Sequence, residues 1–180
     1  MRRVSYLVIV LSAVLLTPHH ALAQRPTATV EVRGDVLKPG QWSVEDLKRQ
    51  FAKEVQTVKF TPATDKPHQI GTGIPLLSLI LAASPRTEKT PKHYDLTFLV
   101  IVEARDSYRV FFSMAELLPQ CGHAQVWLVW DVDGKPLSGE EAPFRLVVTS
   151  DQGHDRYIYG IAGVNLVDGT KLAAQLAAGR

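Results

Sequence analysis

Short stretches of alternating apolar and polar residues occur along most of the chain, and they predict half-buried β-strands. The first runs from Thr27 to Gly34, where Val30 and Val32 share one face. The apolar run from Leu96 to Ala104 predicts a central strand, followed by a turn and a hairpin partner over residues 108–113. Further strands are expected within residues 54–60, 126–137, 144–150 and 156–167.

Four short helical segments separate these strands. Ser43 with Asp46, and Ser113 with Glu116, have the spacing of a capping box at the start of a helix. The apolar run 74–83 predicts a buried helix with a proline in its first turn, where proline is tolerated. The last twelve residues, 169–180, predict a terminal tail, mostly helical. Many short strands with few short helices indicate an α+β fold.

A polar segment from Thr61 to Gly73 lies between a predicted strand and the predicted helix 74–83. It contains two prolines, a histidine and a Gly-Thr-Gly sequence. Loops held between rigid elements often carry function, which makes this segment a candidate site. The Gly-Thr-Gly sequence lacks the remaining residues of a phosphate-binding loop, so it is interpreted as a flexible start to the helix.

The N-terminus has the pattern of a secretory signal peptide over residues 1–23. Arg2 and Arg3 precede a short apolar run, and Ala21-Leu22-Ala23 provides a cleavage site. The run is too short for a membrane span, so none is expected after cleavage. The expected product is one domain over residues 24–168 with the tail 169–180, exported to the periplasm or secreted.

Charge and residue counts narrow the function further. Removing residues 1–23 takes away two arginines and no acidic residue, which leaves 18 basic and 18 acidic residues. No basic stripe is present, and nucleic acid binding is not expected. The four histidines after residue 23 have no metal-site spacing, so no metal is expected. Cys121, the only cysteine, is interpreted as a buried or half-buried thiol, although His123 leaves a Cys–His nucleophile open.

Five segments in order resemble one family, the oxidoreductase molybdopterin-binding domain of the sulfite oxidase type. They are VEVRGDVLKPGQWSVEDLK, GIPLLSLILAA, VIVEARDSYRVFFSMAEL, VWLVWDVDGKPLSGEEAPFRLVV and RYIYGIAGVNLV, and they span about residues 28–167. The resemblance implies an α+β molybdopterin-binding fold. It also implies molybdenum held by a pterin and by one cysteine, in the segment before the GIPLL helix.

This chain departs from that family at the positions that carry its chemistry. The segment before GIPLL contains no cysteine. The segment after RLVV lacks the family's phosphate-binding lysines and retains Arg156 as its one cation, with Asp151 and Asp155 beside it. Ser107 replaces a turn glycine. The expected protein is therefore an exported binding or partner module without a competent molybdenum centre and without a cofactor. An active molybdopterin oxidoreductase with atypical metal ligation is the alternative.

The resemblance also indicates where a ligand would bind. The segments that correspond to the family's cofactor site are Thr61–Gly73, the turn Asp106–Tyr108 and the loop Thr149–Arg156. The candidate binding residues, taken as exposed loop residues, are His68, Asp106, Tyr108, His154 and Arg156. The ligand is expected to be a small molecule or an exported protein. A structural alternative is that Asp106 closes a hairpin and Tyr108 covers the sheet edge.

Overall fold

A computed structural model describes residues 29–63, 66–86 and 93–179 of the chain. The predicted signal peptide, Thr64 and Asp65 lie outside these described residues. Within them, no helix is both long enough and apolar enough to cross a membrane.

The described strands form two sheets. The first contains β1 (Val30–Gly34), β2 (Gly40–Trp42), β5 (Phe98–Ala104), β6 (Arg109–Ser113) and β10 (Ile161–Asp168). Its strand order is β2-β1-β10-β5-β6, in which β10 pairs in parallel with β1 and all other pairs are antiparallel. The strand predicted over residues 96–104 is confirmed as β5, which lies inside the sheet beside β10 and pairs with its predicted hairpin partner β6.

The second sheet contains β3 (Gln56–Phe60), β4 (Gln69–Pro75), β7 (Val126–Val132), β8 (Lys135–Pro136) and β9 (Arg145–Val148). It is antiparallel, with the order β3-β4-β7-β8 and with β9 also paired to β7. Asp133 and Gly134 both have positive φ in the two-residue turn between β7 and β8, as this hairpin turn type requires.

Helices flank the two sheets. They are α1 (Val44–Gln50), α2 (Leu76–Ala82), α3 (Met114–Leu117) and α4 (Gly169–Ala178), with a 3₁₀ turn at Tyr94–Thr97. The capping box at Ser43 and Asp46 is present in full. At α3 the Ser113 hydroxyl accepts the Glu116 N–H, but the Glu116 carboxylate bonds Arg156 instead of completing the box.

Two apolar clusters form the core. The larger one draws buried side chains from both sheets and from α1, α2 and α3. The smaller one lies on the other face of β7 and contains Val58, Phe60, Trp127, Val129 and Val147. Since successive residues of a strand point to opposite faces, β7 is buried on both faces and separates the two clusters.

The prediction for the segment before α2 is wrong. Its second half, predicted as a loop ending at Gly73, is the strand β4, which pairs with β3 on one side and β7 on the other. The helix begins at Leu76, with Pro75 as its N-cap. Gly73 pairs with both neighbouring strands, and this position requires glycine because a Cβ there would lie 2.2 Å from the Leu128 carbonyl oxygen. The polar loop is therefore confined to residues 61–68.

Candidate functional site

A polar groove opens where β3 ends, and it collects two of the five predicted residues. This groove, called here the histidine groove, has a volume of about 390 Å³. It contains His68 from the 61–68 loop and His154 from the 149–156 loop. Its lining residues are Lys59, Phe60, Thr61, His68, Thr149, Asp151, Gln152, His154 and Tyr157. Two loops that are distant in sequence thus meet at one groove.

Both histidines are held by neighbours within the groove. His68 Nδ1 lies 2.8 Å from the Thr61 hydroxyl oxygen, within hydrogen-bonding distance. The His154 ring packs edge-on against Tyr157, with ring centroids 5.3 Å apart. Burial raises the pKa of the Tyr157 phenol, which keeps this hydroxyl protonated and available as a donor. The groove therefore presents imidazole and hydroxyl groups in fixed positions.

The groove also contains a cation that the sequence did not identify. Lys59 lines it from β3 and forms no ion pair with any other described residue. Asp151 lines it as well, but its carboxylate is bound by Arg156 through contacts of 2.7 and 2.5 Å. The sequence did contain a signal for Lys59. In the predicted strand 54–60, Lys59 is a polar residue one position before the strand end, beside the loop that contains His68.

Arg156 does not have the role predicted for it. Besides Asp151, its guanidinium binds Glu116 at 2.6 Å, and it stacks over the Phe112 ring at 4.6 Å. Its side chain is only 29% exposed. These carboxylates raise the pKa of Arg156 above its ordinary value, Asp151 being the larger cause. Arg156 is thus a partly buried structural residue that joins α3 to the 149–156 loop, and its charge is already neutralised.

The predicted turn residues lie outside the groove. Asp106 lines a separate cleft of about 630 Å³ with Tyr159, Arg105 and Glu140. Its carboxylate accepts the Tyr108 backbone N–H at 2.9 Å, so Asp106 does close the hairpin. The Tyr108 hydroxyl donates to the Asp155 carbonyl at 3.0 Å and so links the turn to the 149–156 loop.

A buried arginine lies between the groove and this cleft. Arg145, at the start of β9, is 2% exposed. Its guanidinium stacks on Phe60 of the groove at 4.8 Å and on Tyr159 of the cleft at 4.4 Å. It donates to the Gln69 side chain at 3.4 Å and to the Tyr159 hydroxyl at 3.1 Å. The sequence analysis missed it, although an arginine inside the apolar run FRLVV is an available signal.

The positive charge of Arg145 has no ion-pair partner among the described residues. No carboxylate lies within ion-pair distance of it among the described residues, and its buried Nε has no hydrogen-bond partner. Burial lowers the pKa of Arg145, while Tyr159 and Glu141 oppose that effect. Buried charges in proteins are normally paired, so an uncompensated guanidinium is a candidate for holding an anionic group.

The residues present do not fit a protein-ligated molybdenum. Molybdenum prefers a soft thiolate, and Cys121 is the only cysteine of the chain. It is exposed, which corrects the prediction of a buried thiol, and it does not line the histidine groove. Among the described residues, no group of three or more His, Cys, Asp or Glu side chains is arranged to hold a metal.

Comparison with known proteins supports the fold. No family model matches the chain, and no curated protein matches it. Among solved structures, the sulfane dehydrogenase SoxCD from Paracoccus pantotrophus is similar at a TM-score of 0.57 with 17% identity. The similarity covers 78% of this chain but 38% of that one, so the chain spans well under half of that relative's length. The predicted α+β fold of the sulfite oxidase type is confirmed, as a distant likeness in fold.

Proposed function

We propose that this protein is an exported binding module that uses a molybdopterin-domain scaffold to bind a small anion in the histidine groove. The observation that carries the proposal is Arg145, a buried cation with no carboxylate within ion-pair distance among the described residues. It does not line the groove itself, but it stacks on the groove residue Phe60. Its electric field is weakly screened because the side chain is buried. A bound anion would supply the missing counter-charge.

The groove itself favours the same ligand. Among the described residues that line the groove, Lys59 is the one lysine and Asp151 is the one carboxylate, and Asp151 is already paired with Arg156. The imidazoles of His68 and His154 and the Tyr157 hydroxyl can donate hydrogen bonds to oxygen atoms. Such a set suits a small oxyanion better than an apolar or cationic molecule.

Loss of molybdenum chemistry is the second part of the proposal. Neither the 61–68 loop nor the groove provides a thiolate, and the cation in the 149–156 loop is neutralised by Asp151 and Glu116. The alternative is an active molybdopterin oxidoreductase with atypical ligation, which the likeness to sulfane dehydrogenase favours. A Cys–His enzyme is disfavoured because Cys121 lies outside the groove.

Calorimetric titration of the purified protein with sodium sulfate and with sodium phosphate tests the anion site. We expect saturable one-to-one binding that Lys59→Gln weakens by about tenfold, the effect of losing one charge-assisted hydrogen bond. Lys53→Gln, an exposed lysine outside the groove, is the matched control and leaves binding unchanged. Absence of binding to both anions, or equal loss in the two variants, contradicts the proposal.

Elemental analysis of protein from its native host distinguishes a binding module without molybdenum from an active molybdopterin oxidoreductase. We expect far less than one molybdenum atom per chain, and about one atom per chain would show instead that the protein is a molybdenum oxidoreductase.

N-terminal sequencing of the same protein tests export. We expect the chain to begin near Gln24, and a chain beginning at Met1 contradicts signal cleavage.

A further inference from the structure

Strand β6 forms an open edge of the first sheet. It pairs with β5 on one side, and no described strand lies on its other side. The Ala104 N–H donates to the Tyr108 carbonyl at 2.9 Å, which makes these two residues a hydrogen-bonded pair. Because such pairs alternate along antiparallel strands, the main-chain N–H and C=O groups of Arg109 and Phe111 point away from β5. No described residue hydrogen bonds to these groups on the open side, so they can pair with an added strand.

The other edges of the two sheets are protected against strand addition. Strand β2 has only three residues, and β8 consists of Lys135 and Pro136 alone. Strand β3 carries Lys59 next to its end. Strand β9 is covered by Ile158, which exchanges main-chain hydrogen bonds with Leu146. Short length, lysine, proline and a covering segment are the features by which proteins prevent edge-to-edge pairing.

Strand β6 has none of these features. Its five residues, Arg109–Ser113, include no lysine and no proline, and they pair with β5 in one continuous register. Phe111 at its centre is 53% exposed and lies on the outer face of the sheet, opposite the half-buried Ile101 of β5. An open edge with an exposed aromatic residue is a binding surface for another β-strand.

The sequence of β6 favours a second copy of the same strand as this partner. In an antiparallel pair about a two-fold axis at Phe111, the two Phe111 side chains lie opposite each other, and Arg109 lies opposite Ser113 of the other copy. Aromatic pairs across strands are stabilising, whereas like charges opposite each other are destabilising. This register provides the aromatic pair and keeps the two arginines apart. The Arg109 charge is in addition already paired with Glu103 at 2.6 Å.

The main-chain groups specify the same register. With its N–H and C=O directed outward, Phe111 can form a hydrogen-bonded pair with Phe111 of the other copy. A shift by one residue would place it opposite Val110 or Phe112, whose main-chain groups point toward β5. A shift by two residues would place it opposite Arg109 or Ser113 and would lose the aromatic pair.

We propose that the protein forms a symmetric dimer in which the β6 strands of two copies pair antiparallel about a two-fold axis at Phe111. The first sheet of each copy then continues into the first sheet of the other. No residue of β6 lines the histidine groove, so the dimer and the anion site are independent proposals.

Sedimentation velocity over a wide range of protein concentration tests the dimer. We expect a monomer–dimer equilibrium in the wild type. Phe111→Lys should raise the Kd of the dimer by about tenfold or more, because two ammonium groups would meet at the two-fold axis. Leu176→Lys on α4 is the matched control, since it replaces another exposed apolar residue outside β6, and it should leave the Kd unchanged.

Cross-linking tests the register. The Cα atoms of a hydrogen-bonded antiparallel pair are about 5.5 Å apart, which a disulfide can span. In a Cys121→Ser background, which removes the only native cysteine, Phe111→Cys should form a disulfide-linked dimer on oxidation. Leu176→Cys in the same background should remain mostly monomeric. This measurement still decides the question if Phe111→Lys does not fold.

Three outcomes overturn the proposal. The first is a protein that sediments as a monomer at every concentration, and the second is an equal Kd for Phe111→Lys and Leu176→Lys. The third is a dimer in which Phe111→Cys forms no disulfide, because the two copies would then meet on another surface.

Discussion

Replacing Arg145 with methionine is expected to make the protein more stable while weakening its binding of anions. Methionine has a similar length and no charge, so it fills the same space between Phe60 and Tyr159. The native guanidinium is almost fully buried, has no paired carboxylate among the described residues and leaves its Nε unbonded. The substitution removes all three costs at once.

The magnitude follows from the contacts of the guanidinium. Two cation–π contacts and two hydrogen bonds, one of them long at 3.4 Å, together contribute about 3–4 kcal/mol. Burying an unpaired guanidinium with one unsatisfied N–H costs about 5–6 kcal/mol. We therefore expect Arg145→Met to raise the free energy of unfolding by about 2 kcal/mol.

Urea unfolding followed by circular dichroism measures this change, with titration of sulfate on the same samples. Arg86→Met is the matched control, since Arg86 is exposed and its substitution should stay within about 0.5 kcal/mol of the wild type. A loss of stability above about 1 kcal/mol would show that the guanidinium is compensated in the fold. Unchanged sulfate affinity would show that Arg145 does not act on the groove.

Three further outcomes are expected from other parts of the structure. Gly73→Ala should destabilise by about 2–3 kcal/mol in urea unfolding, because its Cβ would lie 2.2 Å from a carbonyl oxygen of β7, whereas Gly153→Ala, whose Cβ would meet only the Asp155 side chain at an ordinary 3.4 Å, should have little effect. Arg156→Ala should cost about 2 kcal/mol and His68→Ala less than 0.5 kcal/mol, since only the former is tied to two carboxylates; equal thermal stability of the two variants would contradict this. The hydrogen bond from the Ser43 hydroxyl lowers the pKa of Asp46 in the folded protein below its ordinary value of 3.8. The ionised Asp46 carboxylate therefore adds to the stability of the fold above pH 3.8, and this added stability is lost as the pH falls through the lower pKa of the folded state. The urea midpoint of the wild type should therefore fall more steeply than that of Asp46→Asn below about pH 4.

The sequence correctly predicted those helices and strands that depend on residues close together in the chain. The capping box at Ser43 depends on residues within one helical turn, and it appears as predicted. The strand β5 alternates buried and partly buried residues along its length, and its apolar run was sufficient to identify it. The α+β class follows from such elements because their number and type suffice to define it.

The features that the sequence did not predict depend on contacts between residues far apart in the chain. The sequence of β4 contains two glycines and a threonine, which is typical of a loop, but hydrogen bonds to β3 and β7 make it a strand. Arg156 was predicted as exposed because Glu116, its partner, is 40 residues away. The presence of His68 and His154 in one groove was expected only from the family resemblance, since no spacing in the sequence indicates that these two residues lie near each other.

The parallel pairing of β1 with β10 fixes an order of folding during synthesis. All strands of the second sheet lie between residues 56 and 148, so they can associate before the last part of the chain leaves the ribosome. The first sheet contains both β1 and β10 and cannot close until residue 168 is available. Closing so long a loop is slow compared with pairing within a hairpin. A newly made chain therefore spends an interval in which the edge of β1 that later pairs with β10 has no partner strand.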